Sequence, residues 1–473
     1  MNLENFSLMR HELLLTASAL LILIAEIFWK PEKIRTLNRY AVILFSIVTV
    51  MGFLPSPHGS LFGGMYKSDG LRLIMKNILN IGTLLVLIQS VTWLNKPENS
   101  GRIAEYYVLL ISSLIGMNFM ISSGHFLMFY LGLELATIPV AALAAYDRFN
   151  NKSAEAGIKF ILISALSSGI LLYGLSTIYG TTGTLYFDEI AGLIRSSNLQ
   201  ILGFIFFFAG MAFKISIVPF HLWTADVYEG SPVNITSYLS VISKGAAIFI
   251  FVIILFIVFP VLTITWQKTI YVTSVLTMTI GNLFAIRQQN LKRFLAFSSI
   301  SQAGYIILGI IGGTQTGMAS VVYYILVYIF SNLAAFGVVA AVYNSSGKEN
   351  ISDYNGFYKT NPGLSLVMTL AMFSLAGIPP VAGFFGKFFL FTAAAEKGYY
   401  LLVIIAVLNT IISLYYYLLV VKAMFINPNE SPVEKFRSDF PTRLALAVCV
   451  AGIFLTGFAS IIFEAIRNIS FGV

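Results

Sequence analysis

Long apolar runs, interrupted at intervals by short polar or basic stretches, dominate the chain. Ile201–Phe213 and Ala246–Val261 carry no charged residue at all. A helix needs about 20 mostly apolar residues to cross hydrocarbon. On that measure the pattern predicts about fourteen spans. The first seven lie near residues 12–29, 40–55, 72–94, 105–121, 125–146, 155–180 and 200–223. The other seven lie near 232–258, 268–287, 293–313, 317–343, 362–395, 399–425 and 440–466. Barrel strands would alternate apolar and polar residues over about 10 positions, and these runs do not. The expected fold is therefore an all-α polytopic membrane protein. The first segment keeps Glu26 and has no small-residue cleavage site, so it reads as a span and not as a removed signal peptide. Short loops predict a single membrane domain over 1–473 with no appended soluble domain.

Composition agrees and narrows the field. Hydrophobic residues make up 58% and charged residues 11%, against roughly 25% charged in a soluble domain. Too few charges remain to cover a water-facing surface. The one cysteine, Cys449, excludes an internal disulfide, a zinc ribbon or an iron–sulfur cluster held by this chain. The four histidines (His11, His58, His125, His221) have no paired metal spacing, and no glycine-rich phosphate loop joins a strand to a helix. Any redox or nucleotide chemistry is expected in other chains. The net charge of +8 reflects topology and gives no sign of nucleic acid. With the N-terminus outside, sixteen Lys and Arg fall in inward loops, Lys30, Lys33 and Arg35 among them, and seven outside. That bias orients the chain, and an even number of spans leaves both termini on the periplasmic side.

Charges inside the spans are the chemical clue. An ionisable group at mid-bilayer costs at least about 2.5–3.5 kcal/mol on insertion scales, and such groups face the bundle interior. Lys76, Lys422 and Glu26 lie near span ends, where snorkelling accounts for them. Lys159, near the inner end of the sixth span, reads equally as a snorkelling lysine or as the inner mouth of a pathway. Glu134, Lys214, Lys244 and Lys387 lie deep in the fifth, seventh, eighth and twelfth spans. They could be ion pairs that fix helix register, but one glutamate cannot neutralise three lysines. Desolvation disfavours the charged form of an amine, and an amine that exchanges its proton readily suits a proton relay.

Two spans look broken. Lys214 is followed by Ser216 and Pro219, and then by His221. The twelfth span holds Gly377-Ile378-Pro379-Pro380 and Gly383 before Lys387. Proline interrupts the helical hydrogen-bond ladder. Unwound backbone at membrane depth is tolerated only when buried in protein or lining a wet cavity. Interrupted helices in corresponding halves mark a transport path; a simple kink is the bland alternative, and the lysine beside each break counts against it. His221, seven positions after Lys214, is either a satisfied histidine at a helix start or a relay partner. His125 reads as a helix cap. Ser298, Ser299, Ser301, Gln302 and Tyr305 give the tenth span a polar face, which can order water or hold helices together.

These residues carry a resemblance. The stretch Phe220-His221-Leu222-Trp223-Thr224-Ala225-Asp226-Val227-Tyr228-Glu229-Gly230-Ser231-Pro232 is its most specific part. With Lys292–Tyr305 and Leu375–Pro380, it resembles the antiporter-like membrane subunits of proton-pumping NADH–quinone oxidoreductase (respiratory complex I), most of all subunit N. The resemblance covers essentially the whole chain. It implies two inverted five-helix repeats, over 105–258 and 268–425, each with one broken helix. Three helices precede them (1–104) and a fourteenth follows (440–473).

The resemblance also implies a relay through Glu134, Lys159, Lys214, His221, Lys244 and Lys387, supported by Ser298, Gln302 and Tyr305, with breaks at Pro219, Pro379 and Pro380. It implies no cofactor on this chain. NADH, FMN, iron–sulfur clusters and quinone would be used by other membrane and peripheral subunits. A lysine in the twelfth span argues against subunit M, and the short tail after the last span against subunit L. Ala225 stands in place of the family's usual proline, Val233-Asn234-Ile235-Thr236 departs from Thr-Pro-Val-Thr, and Gln302 stands where many relatives have histidine. A subunit of a related cation/proton antiporter or membrane-bound hydrogenase shares the same helices, and a purely structural spacer with frozen ion pairs is the more distant reading.

Overall fold

The computed structural model describes residues 3–29, 34–458 and 460–473. The expectations for Lys30 and Lys33, and for the side chain of Arg35, lie outside the described residues. The fold is all-helical apart from a small antiparallel hairpin, Gly59–Leu61 with Tyr66–Ser68. Among the described residues, eleven helices are long and apolar enough to cross a membrane. Shorter apolar helices occupy 36–52, in the second predicted span, and Pro362–Ala376 and Ala382–Ala395, the two halves of the twelfth.

The seventh span is likewise divided. Asn198–Ile215 ends just after Lys214, and Leu222–Gly230 follows beyond Pro219. The tenth predicted span is a helix, Leu291–Leu308, but it is not among the eleven apolar ones. Lys292, Arg293, three serines and Gln302 dilute its apolar content. Nearly every residue along it is buried, so protein and not lipid surrounds its polar face.

The chain forms two compact units, residues 1–214 with 242–263 and residues 215–241 with 264–473. In the first, the helices Ile103–Ile121 and Phe126–Ala144 pack closely. A Cβ at Gly132 would stand 2.5 Å from the Met120 amide nitrogen. Lipid offers no hydrophobic drive between helices, so small residues that admit backbone contact carry the association. Ser113 adds a bond across the pair, donating to the Ala136 carbonyl at 2.9 Å.

In the second unit, Gln315–Ser346 is buried without a break from Gly317 to Val342. It packs against both halves of the twelfth span and against Phe440–Phe458. A helix apolar on every side belongs at the centre of a bundle. It therefore backs the twelfth-span break with a rigid wall.

Candidate functional site

In the first unit, the helix carrying Glu134 starts at His125, whose Nδ1 accepts from the Leu127 amide at 3.0 Å. This is the capping role read from the sequence. Glu134 is half-buried, and its Oε1 accepts from the Ser168 hydroxyl at 2.5 Å. Lys214 Nζ donates to Thr137 Oγ1 and stands 5.7 Å above the Phe160 ring. Thr137 lies three residues beyond Glu134, on the same helix face. Among the described residues, no ion pair within 4.0 Å joins Glu134 to Lys214, and the ammonium docks one turn away on a hydroxyl. Neither Thr137 nor Ser168 was singled out from the sequence. The signal was the i+3 step from Glu134 and the serine stripe Ser164, Ser167, Ser168 on the sixth span.

Lys159 is half-exposed and pairs with Glu155 one turn earlier at 2.6 Å. Lys244 is buried, 3% exposed. A π-helical turn, Leu239–Ser243, immediately precedes it; such widened turns recur at functional sites.

The second unit holds the rest. After Lys214 the helix ends, Ser216 takes a left-handed backbone (φ 67), and the Val218–Pro219 bond is cis. The Val218 amide, freed from the helix, donates to Thr277 Oγ1 at 3.0 Å. His221 is buried at the start of Leu222–Gly230, and its Nδ1 has no hydrogen-bond partner among the described residues.

The twelfth-span break is the best-formed part of the site. Pro362–Ala376 ends at Gly377 (φ 85), whose left-handed backbone suits glycine. A helix end leaves its last carbonyls without partners. Lys387, from the second half, takes them: Nζ donates to the Leu375 and Ala376 carbonyls, each at 3.0 Å. The amine also lies 4.6 Å from the centre of the Tyr305 ring. Gln302 Nε2 donates to the same Leu375 carbonyl at 3.0 Å and to the Tyr417 hydroxyl at 3.2 Å. Tyr324 donates to Gln302 Oε1 at 2.5 Å, and Ser298 meets Tyr417 at 2.5 Å. Asn282 joins Tyr305 at 3.3 Å, and Tyr416 donates to Asn282 Oδ1 at 2.9 Å. Lys387, Gln302, Tyr305 and Ser298, read separately from the sequence, thus share one buried polar network. The tyrosines of the eleventh and thirteenth spans that complete it were not foreseen, because isolated tyrosines in apolar helices look like packing residues.

One reading from the sequence is corrected. Lys76 does not snorkel. It is fully buried, 2.6 Å from Glu12 and 2.9 Å from the Tyr66 hydroxyl. Glu12 comes from the first span, far away in sequence, and Tyr66 from the hairpin just before the helix that carries Lys76. Among the described residues no three His, Cys, Asp or Glu gather as metal ligands.

Helices of this length around two broken spans define a class: a multi-pass membrane subunit of antiporter-like fold. A family model described as "NADH:quinone oxidoreductase/Mrp antiporter, TM" matches residues 123–413. The NADH-quinone oxidoreductase subunit N of Phocaeicola vulgatus is 55% identical over 97% of this chain and 98% of its own length. That of Azobacteroides pseudotrichonymphae is 51% identical over 100% of this chain and 99% of its own. A chain of the respiratory complex I from Thermus thermophilus with bound aureothin superposes with a TM-score of 0.81 at 27% identity, over 96% of this chain and 99% of that one. A chain of the Mrp complex from Dietzia sp. reaches 0.86 at 21% identity, over 99% and 97%, a likeness of fold alone. The chain belongs to the NADH-quinone oxidoreductase subunit N family.

Proposed function

We propose that this chain is a proton-translocating membrane subunit of a respiratory NADH–quinone oxidoreductase, a non-redox part of that translocase. Other membrane and peripheral subunits of the hetero-oligomer bind NADH, FMN, the iron–sulfur clusters and quinone. The complex sits in the bacterial inner membrane, with both termini of this chain on the periplasmic side. The relay runs through Glu134, Lys214, Lys244 and Lys387, loaded from the inner side by Lys159 and His221. The observation that carries this reading is the Lys387 amine, held by two carbonyls of a broken helix and joined through Gln302 to a chain of hydroxyls. A buried ammonium served by neutral acceptors, with no carboxylate ion pair among the described residues, is positioned to exchange protons and does not act as a fixed ion pair.

Two features support a repeat over 105–258 and 268–425. The sixth and eleventh spans are both 32-residue helices ending at a left-handed glycine, Gly183 and Gly347. The seventh and twelfth are both broken beside a lysine. Lys214 on Thr137, one turn from Glu134, supports a switch in which the ammonium moves between hydroxyl and carboxylate. Beyond 4 Å, at an effective dielectric of about 20, their attraction is below about 4 kcal/mol. That is small enough for a partner subunit's motion to alter.

The test is NADH-driven proton uptake by the assembled complex in proteoliposomes. Lys214→Ala and Glu134→Ala each abolish or strongly impair it while NADH oxidation and assembly persist. Full pumping by both variants rules the relay out. Uptake that requires sodium favours the antiporter reading instead.

A further inference from the structure

We infer that the cleft between the start of Pro362–Ala376 and the start of Phe440–Phe458 binds an anionic phospholipid from the surrounding bilayer. The cleft has a volume of about 430 Å³. Leu364 and Val367 wall it on one side, Leu446 and Val450 on the other. Lys435, Arg437 and Arg443 line its solvent-exposed part. All three are exposed, and none makes an ion pair with a carboxylate among the described residues. At the start of Leu291–Leu308, by contrast, the basic groups are neutralised: Arg293 meets Asp226 at 2.7 Å, and Lys292 meets Glu349 at 3.0 Å.

The nearby acids do not fill this role. Asp439 accepts from Thr442 at 2.7 Å, and neither Asp439 nor Glu434 forms an ion pair among the described residues; the Glu434 backbone carbonyl accepts from Asn361 at 3.1 Å. Asn361 also accepts from the Phe436 amide at 3.2 Å, so the basic segment is tied to the helix start and this part of the cleft keeps its shape. Both helices begin here, and the positive end of each helix dipole adds partial charge.

The vertical order fits a lipid. The cations sit where the apolar helices begin, where an anionic headgroup would lie, and the apolar walls run along the helices from them, where its acyl chain would lie. Basic pockets between spanning helices recognise anionic headgroups in this way. A free phosphate would use the cations and leave the walls empty.

The experiment uses the assembled complex containing this chain, exposed to vesicles of phosphatidylglycerol with a photoreactive acyl chain, followed by peptide mapping. The label is expected on 364–367 and 446–450. Excess phosphatidylglycerol should remove it, and equimolar phosphatidylcholine or inorganic phosphate should not. Replacing all three cations (Lys435→Gln, Arg437→Gln, Arg443→Gln) should lower that label at least tenfold and leave labelling of other spans unchanged. Any of three results overturns the proposal: equal labelling by a phosphatidylcholine probe, displacement by phosphate, or protein cross-links from 435–443 to a neighbouring subunit in place of lipid. The competition series on the unmodified complex decides the matter even if the triple variant fails to assemble.

Discussion

Gly383→Ala puts the twelfth-span break to a quantitative test. A Cβ there would lie 1.7 Å from the Ser374 carbonyl oxygen and 2.6 Å from its carbon. Both atoms are backbone, so no side chain can swing aside. The two half-helices must part by more than an ångström. Overpacking of this kind costs about 1–3 kcal/mol. The second half also carries Lys387, one turn on. Its two 3.0 Å bonds to the Leu375 and Ala376 carbonyls weaken steeply on such a shift. Hydrogen bonds to charged groups contribute about 1.5–3 kcal/mol each. Even with partial relaxation the loss is about 3 kcal/mol or more, over a hundredfold in the population of the intact break. The assay pairs native-gel quantitation of assembled complex with NADH-driven proton uptake in the same vesicles. Gly169→Ala, which meets nothing within 4 Å, is the control and should behave as the parent protein does. If Gly383→Ala assembles and pumps at the parental rate, the packing argument for the break is wrong.

Three further outcomes follow from the same geometry. Glu12→Gln leaves the buried Lys76 without its carboxylate, a loss of about 3–5 kcal/mol. The amount of assembled complex should fall, and Glu12→Leu with Lys76→Met should restore most of it. Thr137→Val removes the hydroxyl that receives the Lys214 ammonium, about 1.5–3 kcal/mol. Proton uptake should drop while Thr137→Ser retains it, and equal uptake by the two would dismiss the hydroxyl's role. Gln302→Leu strands the Tyr324 hydroxyl at a cost of about 1–3 kcal/mol. In a Tyr324→Phe background that thermal destabilisation should shrink by the same amount, and an undiminished effect would mean the two side chains are not coupled.

Much of the architecture was legible because spanning helices announce themselves by length and apolarity, and because proline beside lysine in such a run has few innocent readings. Glu134, Lys214, Lys244 and Lys387 stood out for the same reason: a charge in an apolar run needs an explanation. What those charges touch was not legible. Thr137 and Ser168 are common in helices and carry no charge to flag them. The Leu375 and Ala376 carbonyls belong to apolar residues whose side chains give no hint of their backbone's role. Lys76 was misread because depth along one helix says nothing about whether another helix, here the first, lies against it.

The tenth helix carries a consequence for biogenesis. Leu291–Leu308 is less apolar than the eleven long apolar helices, and its polar face is buried in protein. A translocon grades each segment by its own transfer free energy, so this one should stall at the exit until the apolar Gln315–Ser346 emerges to escort it. Truncated nascent chains ending near residue 312 should leave it unintegrated and open to protease, whereas chains extended past residue 346 should protect it.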